Sequence, residues 1–165
     1  MGNTLQVLQT TLRSSLRLTG NGVHSGKPVS IRFSPAEADS GIVFVQRSGA
    51  VAKRIPALAG QVGSTDLSTV LGDPQGAHVA TVEHLMAALL GVGVDNVEID
   101  IDGYEVPIFD GSAMPYVEAF ERMLIDNTMR RHKGSITGVM DELCLPRRTL
   151  NEKMAKYGLQ RQDYV

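Results

Sequence analysis

Thr81-Val82-Glu83-His84-Leu85-Met86-Ala87-Ala88-Leu89-Leu90, closed by Gly91-Val92-Gly93 and followed by Val97-Glu98-Ile99-Asp100-Ile101, sets a helix directly ahead of a strand. The apolar residues at 82, 85, 86, 89 and 90 fall at helical spacing, Thr81 can cap them, and the glycines end the run. Val97, Ile99 and Ile101 then alternate with polar residues, the period of a half-buried strand. Val29, Ile31 and Phe33 repeat that alternation, Ile42 to Val45 is a short apolar run, and Gly20, Gly22 and Gly26 punctuate a turn. The first two-thirds of the chain therefore read as strands and hairpins around one or two helices. The expected fold class is α+β, a two-layer sheet-and-helix domain over 1–117, followed by a small all-α helix-turn-helix tail over 118–165.

The tail is read from a second set of periodicities. After Asp110-Gly111-Ser112, a helix is predicted to about Arg131, with Val117, Phe120, Leu124 and Thr128 on one face and Met123 and Ile125 widening it. Lys133-Gly134 breaks it, Ser135 can cap a short helix to Leu143, and Cys144-Leu145 makes a turn. Pro146 suits the first position of a third helix, which Gly158 stops. Charge follows the same division. Residues 1–117 carry 7 Lys+Arg against 11 Asp+Glu, and 118–165 carry 9 against 7, so the tail is the basic part.

Composition narrows the classes. With 165 residues and 42% hydrophobic content the chain can bury one ordinary core plus a small appendage. No apolar run approaches the roughly 20 residues of a membrane span, and residues 1–15 lack the apolar core of a leader, so a cytoplasmic protein is expected. The single cysteine, Cys144, excludes a disulfide framework and a cysteine-rich zinc cluster, and it is expected to pack between helices. A metal would have to use His and carboxylate ligands.

Glu83-His84 is the pair that suggests chemistry. A zinc hydrolase needs about three protein ligands, an open position for water and a general base near it. Glu83 and His84 could supply the base and one ligand, although adjacent helical side chains diverge by roughly 100° and share an ion only at the helix end. The same pair also reads as a solvated carboxylate beside a packed imidazole. His24 and His78 are the other candidates, each also readable as a hydrogen-bonded surface or turn residue.

Thr81-Val82-Glu83-His84-Leu85 with Ala87-Ala88-Leu89, Gly91-Val92-Gly93-Val94-Asp95-Asn96-Val97, Val106-Pro107-Ile108 and Asp110-Gly111-Ser112-Ala113 together resemble the UDP-3-O-acyl-N-acetylglucosamine deacetylases of lipid A biosynthesis. Gly22-Val23-His24-Ser25-Gly26-Lys27 and Ser34-Pro35-Ala36 extend the resemblance, which covers about 5–117. It implies zinc-dependent removal of the N-acetyl group from a UDP-linked acyl glucosamine. By position, His84 matches a zinc ligand and Glu83 the general base. Leu67-Ser68 matches a loop lining the site, with Ser68 where some members have cysteine. Asp110 and Ser112 are expected to cap the next helix. The family's other two zinc ligands, its general acid and most of its acyl passage come from a second domain whose His-Lys-x-x-x-Asp pattern is absent here; His132-Lys133-Gly134 does not replace it. One ligand in place of three implies weak zinc binding, and a missing acid costs roughly 10²–10⁴-fold in rate. Little or no deacetylase activity is expected of the chain alone.

Met129-Arg130-Arg131-His132-Lys133-Gly134-Ser135-Ile136 and Leu145 to Met154, then Lys156-Tyr157-Gly158-Leu159, resemble instead the Fis-type C-terminal domain of bacterial enhancer-binding response regulators, especially those controlling C4-dicarboxylate transport. That resemblance covers about 118–165. It implies DNA binding by the last helix, with Arg147, Arg148, Thr149, Asn151, Lys153 and Lys156 facing DNA, and a homodimer through the helix 117–131. The residues alone leave open a solvated amphipathic helix with Leu150, Met154 and Tyr157 packed inward. No phosphate loop of an ATPase occurs in the sequence.

Overall fold

The computed structural model describes residues 8–47 and 51–165, so the leader reading at 1–15 lies partly outside the described residues. The chain divides into two compact units, 1–117 and 118–165. The first holds strands β1 (Leu16–Asn21), β2 (Pro28–Pro35), β3 (Ile42–Gln46), β4 (Lys53–Pro56), β5 (Val62–Ser64), β6 (Val70–Gly72), β7 (His78–Ala80) and β8 (Val97–Ile101), with helix α1 (Glu83–Val92) between β7 and β8. Five strands form one sheet in the order β1-β2-β8-β3-β4, and β5-β6-β7 form another. The architecture is α+β, as the alternation of patterns predicts.

Register explains the core. Ile31 faces Ile101 across the β2–β8 pair, and Phe33 faces Ile99, which faces Phe44 across the parallel β3–β8 pair. All five side chains are essentially fully buried. Val43 to Gln46 are buried in succession rather than alternately, so β3 is covered on both faces. Gln46 Nε2 donates to the backbone oxygens of His78 (2.9 Å) and Gly103 (3.2 Å), tying β3 to β7 and to the segment after β8. Helix α1 turns Leu85, Ala88 and Leu89 inward, and Gly93 ends it at φ 72°, a conformation that glycine takes without steric cost.

The second unit contains α3 (Ile136–Leu143), α4 (Arg147–Lys156) and the larger part of α2 (Met114–Arg131). Ile125, Met129, Val139, Leu150 and Met154 form its core, flanked by Ile136, Met140, Leu143, Tyr157, Leu159 and Tyr164. The predicted α2 face needs correction: Leu124 is 51% exposed, while Ile125 and Met129 are buried. Of the predicted face, Ile125 joins the core of this unit. Ser135 caps α3 by accepting from the Gly138 amide, as its position predicts. Cys144 is exposed rather than packed, because it ends α3 at φ 51° and its side chain turns outward.

A core this small leaves polar clamps with a visible share of the work. Glu121 of α2 accepts from both Lys153 and the Tyr157 hydroxyl, Tyr164 donates to Asp126 (2.7 Å), and Glu142 of α3 binds Arg131 and His132. Among the described residues no helix is long and apolar enough to cross a membrane.

Ile99 touches buried partners on both neighbouring strands, so Ile99→Ala should lower stability by about 2–5 kcal/mol in urea denaturation. A loss below about 1 kcal/mol would contradict a filled core at this position.

Candidate functional site: the entrance to helix α1

Glu83 and His84 are placed by a turn that the sequence reading assigned differently. Thr81 is not the N-cap of α1. Val82 holds that position without a side-chain cap, and Thr81 sits one residue earlier, buried, at φ 60°. A β-branched residue in the left-handed region costs on the order of 1–3 kcal/mol and persists only where its surroundings fix it. Here they do. The Thr81 hydroxyl donates to Glu105 Oε1 (3.0 Å), and its amide donates to the Thr69 oxygen (3.0 Å). On either side, Ala80 exchanges backbone bonds with Tyr104 (2.8 Å) and Val106 (3.0 Å).

Glu105 is the residue that the sequence reading missed. Only 5% exposed, its carboxylate accepts from the His24 amide (2.9 Å), the Ser25 amide (2.9 Å) and the Thr81 hydroxyl. Burial raises its pKa, and the bonds from His24, Ser25 and Thr81 outweigh burial and hold it below the ordinary value. Gly22 makes the arrangement possible, since a Cβ there would overlap the Glu105 carboxylate. The signal was available: an acidic residue directly before Val106-Pro107-Ile108, together with a glycine-rich turn whose amides need an acceptor.

Glu83 lies in the first turn of α1, where the helix dipole favours a negative charge. Its carboxylate accepts the Thr69 amide. Burial raises its pKa, but bonds from its own amide and from Thr69, with the field of His84, bring it below the ordinary value. It is therefore ionised at neutral pH, the state a proton acceptor requires. The His84 field also reaches Asp110, whose pKa is lowered first by the Ser112 amide and hydroxyl. The Glu83-His84 and Asp110-Gly111-Ser112 motifs thus lie within electrostatic reach of each other. Asp110 accepts from Ser112 (2.9 Å from both amide and hydroxyl), and Ser112 Oγ accepts from the Met114 amide (3.1 Å), the expected cap of α2.

The neighbouring residues arrange themselves around this entrance. Leu67, at φ 63° and 94% exposed, and half-buried Ser68 directly precede Thr69, the residue bonded to Glu83. His78 is held in its turn: Nδ1 lies 3.1 Å from the Gly76 oxygen, and the ring lies 5.0 Å from that of Tyr104. No group of three or more His, Cys, Asp or Glu suited to a metal ion occurs among the described residues. A single imidazole with Glu83 and Asp110 nearby does not make a tetrahedral zinc site, so the donor set does not fit the ion by itself.

The six tail residues assigned to DNA fall into three groups. Arg147, Arg148 and Asn151 are exposed on α4, and Arg148 pairs with Glu152 one turn on (2.8 Å). Lys153 and Lys156 pair with Glu121 and Glu118 (2.7 Å) of α2, on the side of α4 that packs there. Thr149 is half-buried.

Residues 9–146 match the LpxC family of UDP-3-O-acyl N-acetylglycosamine deacetylases. The chain belongs to this family. The match runs past the boundary of the first unit and stops just before α4. Deacetylases called UDP-3-O-acyl-N-acetylglucosamine deacetylase from Syntrophotalea carbinolica (47% identical over 111 residues), Citrifermentans bemidjiense (48% over 116) and Shewanella baltica (44% over 111) are similar over 67%, 70% and 67% of this chain. The chain spans 36–38% of the length of these relatives.

The Glu105 cluster carries a pH signature. A carboxylate with a depressed folded-state pKa contributes stability above its ordinary value, 4.5, and loses it as pH falls through the folded value. Urea denaturation between pH 7 and pH 3 should show a fall below pH 4.5 that is shallower in Glu105→Gln. Equal slopes in the two proteins would contradict the depressed pKa.

Proposed function

We propose that the chain furnishes the first part of a deacetylase site that acts on a UDP-linked acyl glucosamine in lipid A biosynthesis. Glu83 is its proton acceptor, and His84 is one ligand of a zinc ion whose remaining ligands lie outside the described site. Leu67 and Ser68 border the substrate. The observation that carries this reading is the ionised, amide-anchored Glu83 at the entrance of α1 beside His84 and Asp110, in a chain of the LpxC family. Glu83, His84 and Asp110 do not complete the shell of such an ion by themselves. What the residues themselves do is hold a carboxylate charged, aim it from a helix end and keep an imidazole beside it.

The second unit supports a second reading, sequence-specific DNA binding. Helices α3 and α4 are joined by a three-residue turn, and α4 presents Arg147, Arg148 and Asn151 outward, the arrangement by which such a helix reaches base edges. Lys133, Arg147 and Arg161 line one cleft with Ser135, Thr137 and Asn151, and no acidic residue lines it. Phosphate contacts in this reading fall to these cations, since Lys153 and Lys156 are held by α2.

Two experiments test the readings. A chimera with this segment in place of the matching 111 residues of the Syntrophotalea carbinolica relative should release acetate from UDP-3-O-acyl-N-acetylglucosamine, and Glu83→Ala should reduce that rate by roughly 10²–10⁴-fold. The chain alone should stay near background. A folded but inactive chimera would contradict the first reading. For the second, DNA affinity should fall with rising salt and weaken in Arg147→Ala and Arg148→Ala, measured by fluorescence anisotropy. Affinity unaffected by either substitution would remove α4 from any DNA interface.

A further inference from the structure

Three segments far apart in sequence meet at one carboxylate, and a fourth joins them through Thr81. Glu105 accepts from the turn at His24-Ser25 and from Thr81; the Thr81 amide holds the Thr69 oxygen; and the Thr69 amide donates to Glu83. Each link constrains the next. A buried carboxylate with three donors has little freedom to move, because every bond lost leaves a desolvated charge less compensated. Its bond to the Thr81 hydroxyl is what keeps a β-branched residue at φ 60°. The Thr81 amide extends the β6–β7 ladder by one rung, donating to the Thr69 oxygen (3.0 Å). Thr69 is thereby fixed on both sides, its oxygen by Thr81 and its amide by Glu83.

We propose that Glu105 is the positioning residue of the Glu83-His84 site: through Thr81 and Thr69 it fixes the direction of the Glu83 carboxylate and holds the Leu67-Ser68 loop beside it. The proposal rests on the reading of Glu83 as the reacting carboxylate, and Glu105 itself reaches no reacting atom. Without Glu105, the Thr81 hydroxyl has no buried acceptor to hold the residue at φ 60°, the Thr81–Thr69 end of the β6–β7 ladder loosens, and Glu83 keeps its place in the helix while losing its fixed orientation. A residue serving only the stability of the sheet would act on all core amides alike. The relay acts on one loop.

Amide hydrogen exchange read residue by residue separates the two. In Thr81→Val the Thr69 amide should exchange at least tenfold faster, about 1.4 kcal/mol of local opening, while the Phe33 and Ile99 amides keep their rates. Thr81→Ser, which retains the hydroxyl, should leave Thr69 as protected as in the unmodified chain. Glu105→Gln should resemble Thr81→Val, because an amide group cannot accept from His24, Ser25 and Thr81 together without turning a donor towards one of them. Unchanged Thr69 exchange in folded Thr81→Val and Glu105→Gln would overturn the proposal. So would a uniform acceleration of all three amides, or the failure of both variants to fold, either of which assigns Glu105 to the fold as a whole. These exchange rates do not depend on acetate release, so an inactive chimera and a failed relay are separate results.

Discussion

A buried carboxylate that has left water must be repaid in hydrogen bonds, and Glu105 obtains them from the turn after β1 and from Thr81, two residues ahead of α1. That requirement fixes much else. Gly22 must lack a side chain so that the carboxylate can sit against the turn, and Thr81 must take a backbone conformation that its own chemistry disfavours. The entrance of α1 is therefore defined by long-range polar contacts rather than by a local cap, which explains why Val82 begins the helix without side-chain help. Glu83 and His84 inherit their position from this arrangement.

The second unit solves a different problem. Its helices are short and its apolar core is small, so α4 is fastened to α2 by Lys153, Lys156 and Tyr157 acting on Glu118 and Glu121. Partly buried, Glu121 has its pKa raised by desolvation and lowered further by Lys153 and Tyr157, so its carboxylate is charged at neutral pH. Both lysines are thereby paired at the surface. Arg147, Arg148 and Asn151 are the exposed α4 side chains on its N-terminal half. The LpxC match through residue 146 takes in α2 and α3.

Periodic signals were legible and long-range ones were not. The alternation of Val29, Ile31 and Phe33, and of Val97, Ile99 and Ile101, located β2 and β8 because one buried face imposes a period of two. Ser135, Gly134 and Gly158 marked helix ends because their chemistry acts within a few residues. Thr81 was misread for the same reason: a threonine before a helix looks like a cap until a carboxylate 24 residues away claims its hydroxyl. Leu124 and Ile125 are neighbours on α2, and only the position of the rest of the unit decides which is buried. Lys153 and Lys156 looked free because their partners lie more than thirty residues earlier. Glu83 and His84 were found from the motif, whereas what holds them was not.

The central claim is that Glu83 and His84 form an ordered part of a site whose metal shell must be completed from elsewhere. Equilibrium dialysis of the purified chain against zinc at micromolar concentration, with His84→Ala alongside, tests it most directly. The account predicts substoichiometric zinc in both proteins, since one imidazole supplies too few ligands. One zinc per chain that disappears in His84→Ala would contradict it and show a complete shell within these residues.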